Sequence, residues 1–179
     1  MLPKLIICLR CAVVIFFLVV VHEFGHYAAG LLVGVPAQSM RIRIFTYPPH
    51  VEFKDADTWV APWDYPRFGT LAQRHMRSRG NAIFCISAGL LLQTVVFAAF
   101  VAILVAMGKP RSYLLPITVS VLAWPVWYLC LDWTLTHIHG FPMGDYSSLW
   151  MVSPLASVLV TAIVISAHIG LVLYVNQRQ

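Results

Sequence analysis

Apolar residues in this chain run in four long blocks separated by shorter polar stretches. Crossing about 30 Å of hydrocarbon takes roughly 20 helical residues, and each block is long enough. The first runs from about Leu5 to Val35, the second from Asn81 to Met107, the third from Tyr113 to Leu131. The fourth ends near Val175 and begins either at Ser147 or at Ser153, with Pro154 as first helical residue. The first block exceeds what a crossing needs, so it tilts or bends near Gly25 or Gly30. The third carries Pro116 and Pro125, which membrane helices tolerate and which tend to kink them.

Residues 36–80 follow a different pattern. Met40 to Ile44 alternates, as does Val51 to Lys54, with Pro48-Pro49 between them. Period-two alternation around a turn signal predicts a β-hairpin. Beyond it, Trp59, Trp63, Tyr65 and Phe68 read as anchors at the membrane interface. There is no internal repeat, low-complexity tract or second soluble domain. The fold expected is an all-α polytopic membrane protein in one domain, 1–179, of about four spans (about 5–35, 81–107, 113–131 and 148–175). A membrane-associated β-hairpin follows the first span.

Composition narrows the class. The chain is 60% hydrophobic and 11% charged, with a mean hydropathy of +0.79, too little polar surface for a soluble domain of 179 residues. A net charge of +5, mostly in one loop, fits anionic headgroups of a lipid bilayer and gives no argument for nucleic acid. Cys8, Cys11, Cys85 and Cys130 fall in apolar stretches and read as small packing residues. Cys8 and Cys11 form a C-x-x-C, but no second pair or βαβ context supports a redox or metal role. Lys4 and Arg10 precede an apolar run, as in a signal peptide. That run leads straight into His22 and Glu23 without a small-residue cleavage site, so it reads as a retained span.

Four spans put the 36–80 and 132–148 loops on one side. That side carries Arg41, Arg43, Lys54, Arg67, Arg74, Arg77 and Arg79; the other carries Lys4, Arg10, Lys109, Arg111 and Arg178. The positive-inside rule then places the hairpin in the cytoplasm and both termini outside. A multi-pass protein of the cell (inner) membrane, with its polar motif nearer the cytoplasmic side, is the expectation.

That motif is His22-Glu23-Phe24-Gly25-His26. An H-E-x-x-H on a helix sets two imidazoles at i and i+4 on one face, where they can bind one zinc ion. Zinc acidifies a water beside it, and the glutamate accepts that water's proton as it attacks a carbonyl. Chance would supply the pattern roughly 0.003 times, given 7 His in 179 residues. Each ionisable group within a span costs about 2.5–3.5 kcal/mol on insertion scales, so three together call for a compensating cation. Zinc also needs a third protein ligand and an open position. Asp132, His137, His139 and Asp145, read as lying in one loop on the same side, are the candidates.

The chain here resembles the site-2 proteases, zinc metalloproteases that cleave substrates within the membrane. The motif at His22 to His26 matches the family's first element. Ala88 to Gln93 resembles its G-x-x-x-N element, with Gln93 in place of Asn. Pro142-Met143-Gly144-Asp145 keeps the Pro-to-Asp spacing of the third element, although Phe141 replaces Asn and Tyr146 replaces the Gly after Asp. The hairpin resembles the family's membrane-associated β-segment, while the span at 113–131 is additional and no PDZ or CBS module is attached.

The resemblance implies one Zn2+ held by His22, His26 and Asp145, with Asp132 as the alternative ligand and Glu23 as catalytic base. His137 and His139 read as interfacial, or as partners of the metal ligands. Gln93 either bonds the scissile carbonyl or developing oxyanion, or joins two helices. His168 is structural or faces a cavity. The implied activity is endoproteolysis of membrane proteins or signal-like peptides, with the segment 40–54 holding an unwound substrate at a strand edge. Two other readings remain open: a catalytically inactive relative that binds membrane substrates, and a metal-binding or transport protein.

Overall fold

A computed structural model describes residues 2–46 and 48–177; Arg178, counted above with the terminal side, lies outside the described residues. The elements in order are α1 (Leu2–Leu32), a 3-10 turn (Ala37–Ser39), β1 (Met40–Arg43), β2 (His50–Asp55), β3 (Thr58–Val60), α2 (Tyr65–Met76), α3 (Arg79–Ala106), α4 (Arg111–His139), α5 (Asp145–Val152) and α6 (Pro154–Asn176). Four helices are long and apolar enough to cross a membrane: α1 from Lys4, α3, α4 and α6. With the small antiparallel sheet after α1, this is the expected class of fold.

The ends of the spans follow local chemistry. α1 stops at Leu32, short of Val35, because Gly34 takes φ +93° and Pro36 cannot continue the helix. Ser153 caps α6 by accepting from the Ala156 N–H at 3.3 Å, with Pro154 in the first turn, so the last span begins there and α5 is separate. α4 runs two turns beyond Leu131, ending where Gly140 adopts φ +74°. This corrects the loop expected at 132–148: Asp132, His137 and His139 are helical. Their polarity suggested a loop, yet Asp132 is partnered by Ser147, and His137 and His139 are exposed on the last turn.

α1 packs chiefly against α3. At Gly25 the contact is backbone to backbone, since a Cβ there would lie 2.7 Å from the Ala88 carbonyl oxygen and 2.9 Å from Gly89 Cα. Gly30 instead makes room for Met40, whose Sδ would stand 2.6 Å from such a Cβ. α1 is one unbroken helix through both, so these glycines are notches for close approach. Toward the opposite end, Leu18, Phe97, Val101, Leu114, Ile117 and Val121 form the core joining α1, α3 and α4.

The sheet has the order β1-β2-β3, with Ile42 opposite Val51, Met40 opposite Phe53 and Phe53 opposite Val60. The third strand was not anticipated. Its two-residue turn holds Ala56 at φ +52°, a position where hairpins usually carry Gly or Asn, so the composition gives no turn signal. Strand 51–54 is consequently interior to the sheet, bordered by β1 and, from Phe53 on, by β3. Within the segment 40–54, β1 is the edge strand, and residues 50–52 of β2 have no strand partner on the side away from β1.

α2 was also missed. Its Phe68 and Leu71 pack with Val51, Phe53 and Val60, while Arg67 bonds Asp55 and Thr58. The aromatics read as interface anchors have partners within the protein. Trp59 lies under the Arg41 guanidinium at 4.3 Å, Trp63 meets the His50 ring edge-on, and Tyr65 stacks on Phe141. Glu52 is buried on this sheet. Burial alone would raise its carboxyl, but hydrogen bonds from Arg41 and His50 prevail and hold it below the usual value.

The packing predicts opposite outcomes for two glycines. Gly25→Val should force α1 and α3 apart and lower stability by at least about 1–3 kcal/mol. Gly69→Ala, in α2 where a Cβ meets nothing within 4 Å, should raise it by about 0.5–1 kcal/mol. Thermal unfolding in detergent reads both.

Candidate metal centre

His22, Glu23 and His26 lie toward the C-terminal end of α1, all at its interface with the rest of the bundle rather than among its outward-facing residues. The i, i+4 spacing brings His22 Nε2 and His26 Nε2 to 3.0 Å from each other. Asp145, 119 residues from His26 in sequence, opens α5 and points Oδ2 between them, 2.7 Å from His22 Nε2 and 3.3 Å from His26 Nε2. Burial alone would raise the Asp145 carboxyl, but the two imidazoles beside it shift it downward.

α3 orients His26. Its Nδ1 lies 2.8 Å from the Cys85 carbonyl oxygen and donates to it, which leaves the Nε2 lone pair facing His22 and Asp145. The ring rests on Gly89, where any Cβ would overlap the imidazole. Tyr128 of α4 sets its ring edge-on to His22, with centroids 6.3 Å apart.

Whether a zinc ion suits these residues is decided by the donors. Ligands about 2.0–2.1 Å from a tetrahedral zinc stand roughly 3.3–3.4 Å from one another. The three separations here, 2.7, 3.0 and 3.3 Å, are close to that scale. A single proton can satisfy one of the three pairs; a divalent cation satisfies all three at once. Two imidazoles and one carboxylate are also a donor set that zinc favours. The residues fit.

Glu23 is 7% exposed and forms no hydrogen bond or ion pair with any described residue, so its carboxylate is uncommitted beside the histidines. Gln93, 3% exposed and one turn beyond Gly89, likewise has no hydrogen-bond partner among the described residues. The interhelical bond considered for it is absent there.

The other candidates stand apart. Asp132 is 2% exposed and bonds Ser147 and Thr136; it does not join the His22, His26 and Asp145 group. His137 and His139 are exposed in the last turn of α4, with His139 against Phe141. His168 is fully buried in α6, bonding the Val164 carbonyl and stacking on Phe97. Cys8 and Cys11 are free thiols near the other end of α1. Tyr128, Ser147 and the Cys85 carbonyl were not foreseen. For Tyr128 a signal existed: with Asp132 and Thr136 it forms a polar stripe of spacing four in an apolar helix.

Set against protein-family models, curated proteins and solved structures, the chain matches none of them.

Gly89→Ala should displace the His26 ring and weaken zinc binding by about 10- to 100-fold. Competition with a chromophoric chelator measures it, and Gly170→Ala, whose Cβ would meet open space, is the matched control.

Proposed function

We propose that this protein is an intramembrane zinc metalloendopeptidase, similar to the site-2 proteases, that hydrolyses peptide bonds of membrane proteins or signal-like peptides within or near the bilayer. The observation that carries the reading is the convergence of three metal donors, from two elements far apart in sequence, beside an uncommitted glutamate. His22, His26 and Asp145 hold the ion. Bound there, zinc supplies Lewis acidity, acidifying a water and polarising the scissile carbonyl.

The remaining work falls to the chain. Glu23 takes the proton from the attacking water and returns it to the departing amine. With no internal partner, its carboxylate has the freedom that this transfer needs. This favours an enzyme over a relative that only binds substrates. The Gln93 amide donates to the carbonyl oxygen as negative charge grows on it. A substrate helix hides its peptide groups in its own hydrogen bonds, so it must unwind. The open edge of β1 can take up the unwound strand by β-augmentation. A metal carrier would call for ligands along a path. Among the described residues, one group of His, Cys, Asp or Glu converges in this way, at one end of the bundle.

The preponderance of Lys and Arg in residues 36–80 favours a cell (inner) membrane orientation with this end of the bundle toward the cytoplasm.

Purified protein should hold one zinc per chain and cut a single-span test substrate. Glu23→Gln should keep the zinc and lose at least about 100-fold in rate. Asp145→Asn should lose the zinc, and Gln93→Ala should keep it while slowing cleavage by about 100-fold. Wild-type protein that holds no metal contradicts the proposal.

A further inference from the structure

Asp145 can meet the α1 histidines only if the start of α5 is held in place. The first turn of a helix leaves backbone N–H groups without partners. The residue that would usually cap them from within, Gly144, has no side chain. The caps come instead from α4. Asp132 Oδ2 accepts from the Ser147 N–H at 2.9 Å, and its Oδ1 accepts from the Ser147 hydroxyl at 2.5 Å. The Tyr128 hydroxyl oxygen accepts from the Asp145 N–H at 3.2 Å. Thr136 Oγ1 accepts from the Met143 N–H at 3.1 Å and donates to Asp132 Oδ1 at 3.2 Å.

Tyr128, Asp132 and Thr136 recur every fourth residue, so they line one face of α4 and grip residues 143–147 at three points. Gly144 is what lets them close in. A Cβ there would stand 2.7 Å from Asp132 Cγ and 2.8 Å from the Tyr128 hydroxyl. A buried carboxylate in a spanning helix is expensive, and all of the hydrogen bonds that compensate Asp132 run to this stripe and to the α5 turn.

We infer that Asp132 is the positioning residue of the metal centre: it caps α5 from α4 and thereby fixes where Asp145 delivers its carboxylate. This rests on the zinc reading above and assigns Asp132 a role other than that of a ligand. It touches neither histidine. Its effect on the metal passes through the α5 backbone.

The test is zinc affinity of the full-length protein in detergent, in a Glu23→Gln background to exclude self-cleavage. Unfolding of the metal-free forms serves as the check on folding. Asp132→Ala should bind zinc about 10- to 100-fold more weakly than the parent while remaining folded. With cobalt in place of zinc, its visible spectrum should shift, since the ligands persist in altered geometry. Asp132→Asn keeps an acceptor for the Ser147 N–H and should recover most of the affinity. Should Asp132→Ala fail to fold, Thr136→Val, which removes the bonds to Met143 and Asp132, should weaken zinc several-fold.

Affinity unchanged in Asp132→Ala overturns the inference while leaving the zinc site intact. Complete loss of zinc in both Asp132→Ala and Asp132→Asn, matching Asp145→Asn, makes Asp132 a ligand and also overturns it. A parent protein without zinc affinity removes the reading beneath it, and the inference with it.

Discussion

The approach of α1 to α3 at Gly25 is the contact on which the site depends. Without side chains between them the helices meet backbone to backbone, at Ala88 and Gly89. At that distance the Cys85 carbonyl reaches His26 Nδ1 and Gly89 accommodates the imidazole ring. A helix carbonyl in hydrocarbon is already bonded within its helix, so a second donor at 2.8 Å requires the neighbouring helix to be very close. The two glycines give that proximity, and His26 acquires a fixed tautomer and direction from it.

The opposite wall is made differently. α4 contributes no residue to the converging group, yet its polar face holds the residue that completes it. One half of the centre is therefore set by apolar packing of two continuous helices, the other by hydrogen bonds to a chain break between α4 and α5. In lipid an unsatisfied N–H costs several kcal/mol, so the break is tolerated because the α4 stripe and Ser147 take up its donors. Glu23 and Gln93 are buried polar residues on spanning helices with no hydrogen-bond partner among the described residues; the Tyr146 hydroxyl and His168 Nε2 are likewise unpartnered.

Much of the architecture was legible because the bilayer imposes length and apolarity on each span, and those are local properties of the sequence. The histidine pair was legible for the same reason, since i, i+4 spacing on a helix decides which side chains meet. Asp145 was singled out from Asp132, His137 and His139 only through resemblance to a family pattern, because its nearness to His26 is a matter of tertiary closure. What escaped was set by partners. Residues 132–139 looked like loop because Asp132, Thr136, His137 and His139 are polar, whereas Asp132 and Thr136 find partners in residues 143–147 and the two histidines are exposed on a continuing helix. β3 escaped because Ala56 occupies a turn position without the usual Gly or Asn. α2 escaped because Tyr65 and Phe68 were read singly as interface aromatics, whereas Phe68 and Leu71 form a helical face that covers the sheet.

Zinc K-edge X-ray absorption of the purified protein tests the proposed centre most directly. The expected spectrum is one zinc with two imidazole nitrogens and carboxylate oxygen in its first shell, at about 2.0–2.1 Å, and no sulfur. A sulfur shell near about 2.3 Å, or protein isolated with full zinc supply yet devoid of bound zinc, would contradict it.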